Sequence, residues 1–309
     1  LVDCLGAGSV STYFGQEIIP GTPLEILAAK RDAMVARAAV TAAGRPGMHI
    51  NDVAVPLTAA GKMATCDPER GLRPSDALLV SQMTELRTDY DQLSRVAYLR
   101  DYGIHIVDLM CPLIGGLGGG APGTAVVSIA THILGAVCYN ASYHFMSHTH
   151  LKYRNNTDRL GLWIQSVVGQ ALARNTRMVT VNDIYCVSGP GTEELLYEVA
   201  AGAVVGTVSG MNVQGAGCTG GSRTDHYTGL EARFIGEVSR AATGLSRERA
   251  NELVLQLVAR YEGTLEEPRY GYPFPEVYDE VTVRPKENWL NVYQQVKDEL
   301  ARFGISFSS

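Results

Sequence analysis

An α/β fold, a TIM (β/α)8 barrel whose N-terminal region and first strand precede Leu1, is the architecture the sequence predicts. Three observations carry it. Apolar runs of strand length alternate with longer helical runs through the whole chain, an order that gives a parallel sheet with helices outside. Seven such strand-and-helix units can be read in the chain, so one upstream strand would bring the barrel to the usual eight. The unusual polar and glycine clusters each follow a strand, the end at which a barrel keeps its chemistry. An open doubly wound sheet is the runner-up. A single barrel domain over residues 1–309 is expected, with residues 268–309 as a C-terminal loop and helix packed on it.

Taken in order, Val2 to Leu5 reads as a buried strand ending in Gly6-Ala7-Gly8. Thr22 and Pro23 open an Ala-rich helix closed by Gly44, because Pro is tolerated at a first helical position and Gly ends helices. Met48-His49-Ile50 is a second strand, residues 52–76 are irregular, and Ala77 to Gln82 is a third strand. A helix from Asp89 to Tyr102, stopped by Gly103, leads to the strand Ile104 to Asp108 and a glycine-rich loop, Cys111 to Gly123. Thr124 to Asn140 is an apolar helix and Tyr143 to Leu151 a fifth strand. Thr157 is read as the cap of a helix from Asp158 to Asn175. Met178 begins the sixth strand, which turns polar at Asn182, Asp183 and Tyr185 before Ser188-Gly189-Pro190-Gly191 and a helix from Thr192 to Ser209. Met211 to Ala216 is the seventh, followed by Gly217-Cys218-Thr219-Gly220-Gly221. Helices at 228–243, 246–261 and 285–303 and a Tyr/Pro loop at 268–278 complete the chain.

Composition narrows the partners. The chain is 46% hydrophobic and 19% charged with a net charge of −6, and no basic or basic-aromatic run marks a nucleic-acid surface. No apolar run approaches the roughly 20 residues of a membrane span. The six cysteines are scattered without a CxxC, which suits reduced thiols and a cytoplasmic location. The chain opens on strand-like residues with neither an initiator Met nor a basic leader, so its true start is expected upstream.

The polar strand ends supply the candidate sites. Alternation by two puts Val181, Asp183 and Tyr185 on one strand face. Asp183 is either a site carboxylate or a brace for the loop that follows. The same alternation puts His144, Met146, His148 and His150 on one face. His148 and His150 form an HxH pair that can offer two imidazoles to a metal, or line a polar pocket; no metal is assigned. The glycine-rich loops at Gly118-Gly119-Gly120 and Gly217-Cys218 either cradle an anion or hold side chains clear of a planar ligand or docking protein. Cys186 and Cys218 can each be read as a nucleophile or as a small buried residue.

Several strings in collinear order resemble the monomethylamine methyltransferases of methanogenic archaea: TPLEILAAKRD with AAGRPGM, VSQMTELRTDYDQL, GGLGGGAPGT with ATHI, SGPGTE and TGLEARFIGEV. The resemblance spans nearly the whole chain. It implies a barrel that passes a methyl group from a small methylated substrate to the cobalt of a partner corrinoid protein docked over its mouth. The corrinoid cofactor (cobalamin) is then carried by that partner, and a homo-oligomer is expected. Family members hold the amine on pyrrolysine, in a loop that aligns near Leu72, Arg73 and Pro74 here; none of these is pyrrolysine. Arg73 in that place can bind an acid group in a bidentate fork. The family's active-site Gln and Tyr fall on Asp183 and Tyr185, so Tyr is kept and Gln becomes a carboxylate. An acidic pair of the family falls on Pro122 and Gly123. Its pocket histidines are matched by His144 and His150, whereas His148 differs. The expected site is therefore Asp183 and Tyr185 as catalytic residues; Arg73, His144, His148, His150 and Asn182 as substrate ligands; and Gly118, Gly119, Gly120, Gly217 and Cys218 on loops facing the corrinoid. A quaternary or otherwise charged amine fits a carboxylate beside a phenol. Two rival functions are a metal-dependent hydrolase using His148 and His150, and a binding barrel without catalysis.

Overall fold

The computed structural model describes residues 4–7, 12–52, 58–82 and 86–307. The expectations placed on Val2, Asp3 and Gly8, on residues 53–57, and on the Met83-Thr84-Glu85 part of the VSQMTELRTDYDQL string lie outside the described residues. The chain forms two compact units, one of residues 2–110 and 130–144, the other of residues 111–129 and 145–309.

The first unit opens with β1 (Cys4–Ala7), a small hairpin of β2 (Thr12–Tyr13) and β3 (Gln16–Glu17), and α1 (Pro23–Ala42). Then come β4 (His49–Asp52), α2 (Ala59–Thr65), β5 (Ala77–Ser81), α3 (Tyr90–Asp101) and β6 (His105–Met110). β1 pairs with β4, β4 with β5 and β5 with β6, all parallel. α1 buries Ala28, Ala29, Ala33, Ala36 and Val40 at helical spacing, the stripe an amphipathic helix turns to a core. α3 begins where the Asp89 side chain accepts from Gln92 N. Ile50, Leu78, Val80 and Ile106 from the strands meet Val96 and Leu99 of α3 in one apolar cluster. α2 falls in the stretch that reads as irregular, because seven residues are too few to show a period.

The second unit holds β7 (Leu113–Ile114), α4 (Ala121–Leu134), β8 (Tyr143–Met146), β9 (Thr149–His150), α5 (Arg159–Asn175), β10 (Thr180–Tyr185), α6 (Glu193–Val208) and β11 (Asn212–Cys218). It ends with α7 (Gly229–Ala242), α8 (Arg247–Val258), α9 (Phe274–Val277), the β12 (Tyr278–Asp279) and β13 (Arg284–Pro285) pair, and α10 (Glu287–Arg302). α4 runs past residue 129 and β8 starts at 143, so each is divided between the units. The seven-stranded sheet has the order β1-β4-β5-β6-β8-β10-β11. That sequential order, with helices between successive strands, is the α/β barrel class expected from the sequence.

α6 is buried from Leu195 to Gly206, as a helix apolar all round must be. Leu195, Leu196, Val199 and Ala203 share a core with Ile184 of β10, Phe234 and Val238 of α7, and Trp289, Val296 and Leu300 of α10. A Thr228–Glu231 capping box starts α7.

Three elements depart from the expected bounds. The strand expected over 143–151 is broken at Ser147 and His148, whose side chains bond to Asp183 and to the Gly161 carbonyl instead of continuing a ladder. The cap of α5 is Asp158, which accepts from Leu160 N and Gly161 N. Thr157 turns its hydroxyl to Glu198. α4 starts at Ala121 and continues into a π-turn over Gly135–Tyr139. Together they make a 19-residue helix, Ala121–Tyr139, that is long and apolar enough to cross a membrane by length and composition, so the expectation that no run approaches that length is corrected. Thr124, Ser128, Thr131 and His132 along it are buried, a pattern that core helices share.

Candidate functional site

The second unit gathers a carboxylate, a phenol and two thiols where β10 and β11 end. Asp183 and Tyr185 lie two apart on β10, on the face opposite Ile184. Ile184 and Asn182 turn to the helices: an added Cβ on Gly202 of α6 would press on Ile184, and one on Gly206 on Asn182. Asn182 donates to the carbonyl of Gly202 at 3.0 Å and to Gln165 at 3.4 Å. Expected as a substrate ligand, Asn182 in this fold fastens β10 to α5 and α6.

Asp183 is 2% exposed. Its Oδ2 accepts from the Ser147 hydroxyl at 2.8 Å, and its Oδ1 meets no hydrogen-bond geometry among the described residues. Burial pushes its carboxyl up to about 6, with the Ser147 hydroxyl and the Tyr185 phenol pulling the other way. The Tyr185 phenol lies 3.6 Å from Cys111 Sγ. Burial, then the charge of Asp183, raises its own pKa well above the tyrosine range. Cys111 is pushed up to about 12 and Cys218 to about 11, in each case mainly by burial. Cys186 is also raised. These three are therefore thiols near neutrality, which removes the ground for reading Cys186 or Cys218 as an activated nucleophile.

The space beside Asp183 and Tyr185 exists because residue 217 is glycine. A Cβ there would overlap both Asp183 Oδ1 and the Tyr185 ring. Gly217, expected on a loop facing the corrinoid, is where a missing side chain makes room for Asp183 and Tyr185. Cys218 pairs in register with Tyr185, so it too belongs to this cluster. In the earlier glycine-rich loop, Gly118 packs against the backbone of Gly123, while an added Cβ on Gly119 meets nothing within 4 Å and one on Gly120 only Pro122. The Tyr/Pro segment lies on the loops after β10 and β11: Gly189 N donates to Arg269 O, Tyr272 N to Pro190 O, and the Arg223 guanidinium sits 3.2 Å from the Tyr270 ring centroid.

The histidines take separate places. His148 is buried, with Nε2 2.9 Å from the Gly161 carbonyl, and burial lowers it to about 4, so it is neutral. His150 Nδ1 lies 2.9 Å from Asp158 Oδ2, on the cap of α5. Each of these rings, expected among the substrate ligands, has its own partner within the fold. Among the described residues no group of three or more His, Cys, Asp or Glu is placed to hold a metal. His144 belongs to the first unit. There it pairs with Asp108, whose Oδ2 accepts from the Gln82 amide at 2.7 Å. Its ring centroid is 5.7 Å from that of His132.

Arg73 also lies in the first unit, ahead of β5. Its Nε and backbone N–H donate to Asp76 Oδ2 at 2.9 and 2.8 Å, its Nη2 to Asp76 Oδ1 at 2.9 Å and to Met48 O at 2.6 Å, and its Nη1 to Pro46 O. The guanidinium of Arg73, expected to bind substrate, is bonded in this fold to a buried carboxylate before the strand begins. Sequence reasoning missed Ser147, Asn156, Cys111 and Tyr227. Tyr227 feels the charges of Glu231 and Asp183, and its hydroxyl would sit 2.7 Å from a Cβ on Gly215. None of these four stands in a motif, and only the folded contacts single them out.

A carboxylate and a phenol two residues apart at the end of one strand of an α/β barrel make a small, buried polar site. The comparisons with known proteins give the family. The monomethylamine methyltransferase MtmB family model matches residues 1–305. MtmB2 of Methanosarcina acetivorans is 34% identical over 307 residues, covering 99% of this chain and 67% of that protein. MtmB of Methanosarcina mazei is likewise 34% identical over the same share of each chain. The crystal structure of Methanosarcina barkeri MtmB superposes with a TM-score of 0.95 at 33% identity, over 99% of this chain and 67% of that one. The structure of an MtmB complex with hydroxylamine gives the same TM-score, 0.95. The chain belongs to the monomethylamine methyltransferase MtmB family.

Proposed function

We propose that this chain holds the methyl donor in a methyltransferase that moves a methyl group from a small, positively charged methylated amine to the cobalt of a partner corrinoid protein, and that it does so without pyrrolysine. One observation supports the reading: the Oδ1 of the buried Asp183 carboxylate meets no hydrogen-bond geometry among the described residues, and the Tyr185 phenol, which favours its charged form, lies beside it. A buried carboxylate with a free oxygen is costly unless a cation or donor meets it. A methylated ammonium does so by charge, and the Tyr185 ring adds a cation–π contact of about 1–2 kcal/mol in a desolvated site. The corrinoid, when its carrier protein is bound, supplies the cobalt nucleophile. This chain's part is to hold the nitrogen as a cation, so that the C–N bond breaks with its electron pair leaving on a neutral amine. Gly119 and Gly120 are the residues of the corrinoid-facing loop that stay open to a docked partner.

The donor can be quaternary or can carry N–H groups. Two observations bear on the choice. The free Oδ1 is an acceptor, which favours a donor with an N–H. The commitment of Arg73 to Asp76 removes the residue that would have held an acid group of a betaine. Methyl transfer to cob(I)alamin, followed by its absorbance with methylammonium, tetramethylammonium and glycine betaine as donors, tests the proposal on the full-length protein. At least one of these cations is expected to react, with a loss of about a hundredfold or more in Asp183→Asn, the scale of losing a preorganised electrostatic contact. Transfer from methanol but from none of the three would overturn it.

A further inference from the structure

Asp183 and Tyr185 are held by two uncharged residues of the segment that joins β8 to α5. Asn156 makes four hydrogen bonds. Its Nδ2 donates to Asp183 O at 2.7 Å, its Oδ1 accepts from Tyr185 N at 2.8 Å, its N–H donates to Tyr185 O at 3.1 Å, and its carbonyl accepts from Gln165 Nε2 at 3.2 Å. Three of the four go to the backbone of the two site residues. Asn156 is fully buried, and Gly161 is glycine where a Cβ would overlap its carbonyl. Ser147, 1% exposed, takes the Asp183 side chain instead, donating to Oδ2.

From this geometry we propose that Asn156 and Ser147 are positioning residues for the site: Asn156 fixes the backbone of Asp183 and Tyr185, and Ser147 fixes the Asp183 carboxylate so that Oδ1 alone faces the space at Gly217. The inference deepens the functional proposal and rests on it for what occupies that space, although the bracing can be tested without a ligand. The break in the strand at Ser147 now has a use. A serine continuing the ladder would direct its hydroxyl by strand alternation; released from it, the hydroxyl reaches Asp183. The Asn156 amide offers a donor and an acceptor at once, which is what an exposed C=O and N–H two residues apart on one strand require.

Other titratable groups interact with Asp183: the Tyr185 phenol on its own strand, the Cys111, Cys186 and Cys218 thiols, and the Tyr227 phenol. All are neutral at physiological pH; the Ser147 hydroxyl and the Tyr185 phenol are the two side chains that favour the charged carboxylate, and Ser147 is the one a substitution removes without touching a site residue. Carboxyl carbon NMR, with the resonance assigned by its loss in Asp183→Asn, reads that titration directly. Ser147→Ala is expected to move the Asp183 midpoint up by about one unit, the size of one lost hydrogen bond to the charged form. Ser147→Thr, which keeps the hydroxyl, is expected to restore it. An unmoved midpoint in Ser147→Ala overturns the role of Ser147.

For Asn156, the isosteric Asn156→Asp keeps the oxygen toward Tyr185 N and loses the donor to Asp183 O, and Asn156→Ala loses both. Calorimetric titration with methylammonium is expected to show affinity falling about tenfold in Asn156→Asp and further in Asn156→Ala. Circular dichroism keeps the comparison to folded protein. Affinity within twofold of wild type in a folded Asn156→Ala protein overturns the role of Asn156. Failure of the wild-type protein to bind methylammonium or tetramethylammonium, with the Ser147 midpoint shift intact, counts against the functional proposal and supports the bracing.

Discussion

Gly217 shows how a site can depend on an atom that is not there. Asp183 and Tyr185 occupy the place its side chain would take, so Gly217→Ala must push one of them out of line. Backbone at this strand end is held by the Cys186 N to Cys218 O hydrogen bond, which leaves the side chains to move. Methylammonium affinity is expected to fall at least tenfold, about 1.4 kcal/mol, in a protein that still folds; equal affinity in calorimetry would show that the space is not the binding space. Asp183 and Tyr185 stand out in the sequence because a carboxylate and a phenol two apart at the end of an apolar strand are unusual, and the fold places both on β10 beside Gly217. Period-two reasoning assumes an unbroken strand, and this one breaks at Ser147 and His148. His148 sits in the break and meets the Gly161 carbonyl, while His150 stands on the short β9 and meets the Asp158 cap.

Strands and long helices were readable wherever apolar periodicity set them. What was not readable is which side chains tie one element to the next. Arg73 is the plainest case. A lone arginine in a polar loop before a strand gives no sign of its partner, and only the fold shows Asp76, fully buried, collecting Ile50 N, Arg73 N and the guanidinium. Burial pushes the Asp76 carboxyl up, but those donors win and hold it below the usual range. The pair therefore locks the entry to β5 onto the entry to β4. Removing the arginine leaves a buried carboxylate half satisfied. Arg73→Ala is expected to cost about 3 kcal/mol, the low end for breaking a buried pair, because 22% of the Arg73 side chain stays exposed. Arg73→Lys should recover little of it, since a lysine has no planar fork to span both oxygens. Urea unfolding midpoints decide this, and a loss below about 0.5 kcal/mol would mean the pair carries no net stability.

For the molecule as a whole, the buried acids set how stability depends on pH. Asp183 is raised to about 6 and Glu231 from 4.5 to about 7, both mainly by burial, and Glu198 is raised for the same reason. A carboxyl raised in the folded state keeps its proton there after the unfolded chain has released it. Between the unfolded value and the folded value the native state thus binds more protons, and stability falls as pH rises through that window. For Glu231 the window runs from about 4.5 to about 7. Asp76, whose pKa is lowered, acts with the opposite sign and in a more acid range, below its ordinary value of 3.8, so it does not mask the effect. Glu231 sits in the capping box of α7, accepting from Thr228 N and from the Thr228 hydroxyl. Glu231→Gln keeps an acceptor for the backbone N–H and cannot ionise. The variant is expected to melt at or below wild type at pH 5, where the wild-type acid is protonated when folded. By pH 8 it should have gained on wild type by about 5 °C, the scale of 2–3 kcal/mol in a chain of this size. Thermal melts at the two pH values read the difference of differences, which cancels every group the two proteins share. A gap that stays constant with pH would mean that Glu231 is ionised throughout, and that the capping box, with its two donors to the carboxylate, outweighs the cost of burial.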